Sequence, residues 1–76
     1  MSHPVEVARF QLQVIRGYKR GLAEAQKKVR FYEGLLKSVT IDDSQKESLK
    51  IYISIHKHEV TVFKELLASA LRKLQK

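Results

Sequence analysis

A single proline constrains this chain more than any other residue, because it stands where a helix would begin. Pro4 is the one position in 76 that forbids a helix interior. At the first turn it does no harm, since its missing N–H would have no helical partner there. From Val5 onward the apolar residues recur at alternating steps of three and four. One heptad position reads Ala8, Ile15, Leu22, Val29 and Leu36, and its companion reads Gln11, Tyr18, Ala25, Tyr32 and Val39. This is the spacing of a coiled-coil seam, and it predicts a helix over about 4–39. Ser2 or His3 is placed to cap it, and Glu6 faces the positive end of its dipole.

The segment Thr40-Ile41-Asp42-Asp43 breaks the pattern and predicts a turn over 40–43. Asp42 with Gln45 three residues on has the form of a capping box, and so does Ser44 with Glu47. A second helix follows over about 44–75. Its seam reads Leu49, Ile53, His56, Val60, Phe63, Leu67, Ala70 and Leu74, and Lys73 and Lys76 suit its C-terminal dipole. Folding the chain back near residue 41 pairs the seams so that contacting residues sum to about 81 or 82. Tyr32 then meets Leu49, Val29 meets Ile53, Ala25 meets His56, and Tyr18 meets Phe63. The expected fold is all-α: residues 1–76 form a single antiparallel two-helix hairpin, coiled-coil-like, with several large residues facing small ones.

One seam per helix suffices for a hairpin, but each helix carries a second apolar stripe. On the first lie Phe10, Val14, Gly17, Gly21, Phe31 and Leu35; on the second lie Ile51, Ile55, Val62 and Leu66. Each apolar arc spans roughly half the helix circumference, wider than two helices can bury. These stripes are the expected homodimer interface, which would complete a four-helix bundle. Gly17 and Gly21, four apart, read either as a weak spot in the helix or as a close crossing point for the second chain. With no cysteine in the chain, disulfides and thiolate metal sites are excluded as stabilisers, leaving helix packing or oligomerisation.

Fifteen Lys and Arg against eight Asp and Glu give a net charge of +7. The excess is segregated. Arg9, Arg16, Lys19, Arg20, Lys27, Arg30 and Lys37 occupy one arc of roughly 100° on the first helix, without an acid inside it. They run for about 42 Å at 1.5 Å per residue. Lys46, Lys50, Lys57 and Lys64 form a narrower line on the second helix. A solvated face usually mixes both signs. A rigid rod of one sign suits phosphate backbones, where released counterions drive binding without reading sequence. Four of the seven ridge residues are arginine, which grips phosphate through two parallel bonds. Few aromatic residues approach the ridge, which favours a duplex over a single strand.

The first expectation is therefore a dimeric DNA- or RNA-binding protein that contacts duplex phosphates through the ridge. The second is an adaptor or regulator that lays an apolar stripe on a partner protein, with the ridge meeting an acidic surface. Membrane association ranks below both, because no apolar run approaches the length of a span and no signal peptide is present. An intracellular, cytoplasmic protein is expected. Chemistry is not. His56 and His58 point about 160° apart and cannot share a metal ion, so His56 reads as a hydrogen-bonded core residue. Asp42, Asp43 and Glu47 read as capping groups. No nucleophile–base spacing and no phosphate loop is present, so neither catalysis nor a cofactor is expected.

Overall fold

A computed structural model describes residues 4–38 and 40–74. The chain is two helices, α1 over Pro4–Leu36 and α2 over Asp43–Leu74, packed against each other as an antiparallel hairpin. No strand occurs among the described residues. The molecule measures 59 × 16 × 13 Å, the proportions of two rods lying side by side.

The seam read from periodicity is the one that packs. Ile15, Ala25 and Val29 from α1 are buried against Leu49, Ile53 and Ala70 from α2. The remaining described seam positions of α1 are half-buried, as are His56, Val60, Phe63 and Leu67 of α2. Leu74, at the open end, is exposed. Val39, assigned to the seam and to the end of the first helix, lies outside the described residues, as do the capping candidates Ser2 and His3 and the terminal Lys76. Among the described residues no polar side chain is buried, so the core they form carries no unpaired charge.

The cross-helix pairing departs from the simple sum. Tyr32 stacks on Tyr52 with ring centroids 5.8 Å apart, and on His56 at 5.6 Å with only 10° between the ring planes. Phe63 packs on Gly21, and Lys57 reaches Glu33 at 4.0 Å. These pairs sum to 84, 88, 84 and 90, not to 81 or 82. The lean of helical side chains toward their own N-terminus, about one residue on each helix, accounts for the sums of 84, while His56 and Lys57 reach further along the axis. In an antiparallel pair both partners lean toward lower residue numbers, so side chains that touch belong to backbone levels with a smaller sum. His56, expected opposite Ala25, accordingly lies on the Tyr32 ring. Its Nδ1 pairs with Glu59 Oε1 at 2.7 Å, which supplies the hydrogen bond that a core histidine needs.

The turn is built from hydroxyls and one cap. α1 stops at Leu36, three residues short of the expected end, and it stops without a glycine: no described residue has positive φ. Ser38 N donates to Leu35 O at 3.0 Å, tightening the last turn. Ser38 Oγ then bonds Thr40 Oγ1 at 2.8 Å and accepts from Thr40 N at 3.3 Å. Such local bonds compete with helix, and the β-branched run Val39-Thr40-Ile41 adds to the disfavour. Of the two capping boxes, the one at Asp42 forms. Gln45 N donates to Asp42 Oδ1 at 2.8 Å, and Asp42 N donates to Gln45 Oε1 at 3.0 Å. α2 therefore starts at Asp43, and Ser44 lies inside it rather than capping it. Asp42→Ala is expected to cost about 1 kcal/mol, the usual worth of an N-cap. Urea unfolding followed by circular dichroism reads this directly; an unchanged midpoint would show that the box contributes nothing.

Candidate nucleic-acid interface

All seven cations of the α1 ridge, Arg9, Arg16, Lys19, Arg20, Lys27, Arg30 and Lys37, are exposed. The helical period puts them there: they centre about 130° around α1 from the buried seam, with Lys19 and Lys37 at the near edge of the arc. Among the described residues, none of the seven forms an ion pair. The line on α2 is less free. Lys50 pairs with Glu47 at 3.4 Å, Lys57 with Glu33 at 4.0 Å, and Lys46 is half-buried. Both pairs join well-exposed groups and are worth less than about 1 kcal/mol each, so an anionic ligand would displace them at little cost.

The packing brings the inner edges of the two cationic lines together. Arg30 from α1 and Lys57 from α2 line the same open groove of about 470 Å³, with Gln26 and Thr61 beside them and Val29 and Val60 at its floor. Taken separately, the two helices do not reveal this. The antiparallel partner reverses the angular sense of its helix, so the ridge and the lysine line converge once the seams meet. The signal lay in the angular offset of each line from its own seam. Gln26 and Thr61 carry no charge and attract no notice until the groove is formed.

The opposite face is mostly apolar, with Glu24 and Lys28 exposed within the α1 stripe. Phe10, Phe31 and Ile51 expose 62, 63 and 60% of their surface, and Leu35, Ile55, Val62 and Leu66 are also exposed. Val14 is half-buried. Phe31 stands edge-on to Tyr32 at 5.6 Å, which ties it to the Tyr32–Tyr52 stack on that face. Near the turn, Leu35, Ser48 and Leu49 line a second open groove that continues the same surface. The two glycines of the stripe part company. A Cβ on Gly21 would lie 2.6 Å from Cε1 and Cζ of Phe63, so Gly21 is the seat of a ring from its own chain. A Cβ on Gly17 would meet nothing within 4 Å.

Neither His56 nor His58 joins a cluster of metal-ligating type: among the described residues no three His, Cys, Asp or Glu are grouped to hold an ion. No described helix is long and apolar enough to cross a membrane. Comparison with known proteins adds no family to this geometry, since no family model, no curated protein and no solved structure matches the chain.

Proposed function

We propose that this is a small, non-enzymatic nucleic-acid-binding protein that acts as a homodimer and holds the phosphate backbone of duplex DNA or RNA on its cationic face. One observation carries the proposal. Seven exposed cations, unpaired among the described residues, run along one side of α1, and one of them, Arg30, shares a groove with Lys57 of α2. A straight cationic surface about 42 Å long matches roughly one helical turn of duplex. Its cations suit phosphate contacts rather than base edges, so little sequence preference is expected.

The test is a gel-shift panel of duplex and single-stranded DNA and RNA across a salt series. If each ridge cation neutralises one phosphate, the slope of log K against log salt on duplex DNA is about −6. Binding that is flat in salt, or absent for every duplex near physiological salt, would exclude the proposal. A second reading has its own support in the exposed apolar face: an adaptor or regulator that docks that face on a partner protein's helix. A well-folded monomer at micromolar concentration, with no affinity for nucleic acid, would favour it over the first.

A further inference from the structure

The cationic face and the apolar face lie on opposite sides of one thin hairpin, and this arrangement limits what a dimer can do. The apolar face is large enough to hold a second copy. Its 16 Å breadth and the roughly 48 Å length of α1 enclose about 800 Å², the share per partner of a standard stable interface. Charge placement agrees with self-association. Arg30 and Lys57 lie in the groove on the far side, the ridge centres about 120° around α1 from the stripe, and the two charges of α1 within the stripe, Glu24 and Lys28, are opposite in sign. Stacking two hairpins through their apolar faces therefore points both cationic faces outward, away from each other. The interaxial spacing of packed helices is about 10 Å, so with side chains the outer faces stand some 20–25 Å apart. No straight duplex touches both.

We infer that the dimer is a bridge: each cationic face takes one duplex, and a single dimer holds two duplexes side by side. This rests on the nucleic-acid reading above and adds valency to it. Two identical, opposed, sequence-indifferent sites are the geometry of a protein that ties or condenses nucleic acid rather than one that marks a site. Once one face is bound, a second duplex nearby is captured without any new contact between the copies.

The experiment uses a biotinylated 40-base-pair DNA duplex on streptavidin beads and a fluorescent 40-base-pair duplex of unrelated sequence in solution. The intact protein is expected to retain the fluorescent duplex on the beads. Retention should rise to a maximum and then fall when excess protein gives every duplex its own dimers. The variant Phe31→Gln/Ile51→Gln/Ile55→Gln changes only residues that the single hairpin leaves exposed. It should keep its helical circular dichroism and its gel shift while losing most of the retention. Should it fail to fold, Phe10→Gln/Val62→Gln replaces it. An intact protein that shifts duplex but retains no second duplex would overturn the bridge and leave nucleic-acid binding standing. Equal retention by parent and variant would also overturn it, because bridging would then not need the apolar face. No shift of any duplex would overturn both.

Discussion

Replacing Arg16, Arg20 and Arg30 together by glutamate is expected to lower affinity for duplex DNA by about 10³-fold at 0.1 M salt, with the helical content unchanged. Each phosphate contact contributes close to tenfold there, because K varies as the salt concentration to about −0.9 per contact. Three lost contacts give the estimate, and the new carboxylates add repulsion. Six units of charge are removed, taking the chain from +7 to +1. The fold should survive, since all three side chains are exposed and none is ion-paired among the described residues. The salt slope should fall by about three. The companion control is Arg→Lys at the same positions, which keeps the charge and loses the two-pronged grip; it should cost far less. A glutamate variant that shifts duplex DNA and RNA as the parent does would end the proposal.

The second large effect is on stability. Gly21→Val is expected to destabilise the hairpin by about 2–3 kcal/mol, a large part of what so short a chain commands. The position of a first side-chain carbon is already occupied to within 2.6 Å by two atoms of the Phe63 ring, and valine adds two methyls beyond it. Phe63 is a half-buried seam residue, so its ring has little room to swing aside. Gly17→Ala should do the reverse and stabilise by up to about 1 kcal/mol, because nothing approaches and the helix loses a flexible residue. In a double-mutant cycle, Phe63→Leu should offset part of the loss caused by Gly21→Ala. Urea unfolding of the five variants and the parent decides it; a Gly21→Val variant as stable as the parent would mean that Phe63 does not rest on this glycine.

The fold was legible because one period governs nearly the whole chain. With a single proline at position 4 and a 4-3 apolar repeat on both sides of residue 41, few arrangements other than a hairpin bury the seams. Every described seam position of α1 is buried or half-buried. The turn was less legible. Asp42–Gln45 and Ser44–Glu47 satisfy the same capping pattern, and only the path of the chain through Ser38 and Thr40 favours the first. The contacts of Tyr32, Gly21 and Glu33 run two or more residues above the expected sum, in part because pairing by number treats side chains as perpendicular spokes, whereas they lean. The pairing of glycines four apart suggested a shared purpose, but local surroundings give Gly21 an intrachain role that Gly17 lacks. For the candidate interface, periodicity located each cation and its exposure. It did not bring Arg30 and Lys57 to one groove, because that depends on how two helices face each other.

The Tyr32, Tyr52 and His56 stack lies close to the turn, and that position shapes how the chain reaches its fold. Joining Tyr32 to Tyr52 closes a loop of only about 20 residues, whereas joining the far ends near Ala8 and Leu74 closes one more than three times longer. The difference in closure entropy is about 1 kcal/mol in favour of the turn end. With the Asp42 cap in place there, the hairpin is expected to close from residue 41 outward and to open from the other end first. Arg9 and Phe10 therefore ride on the part of the molecule that lets go most often, while Arg30 and Phe31 ride on the part that holds longest. A ligand arriving on either face meets a firm grip near the turn and an adjustable one at the tips.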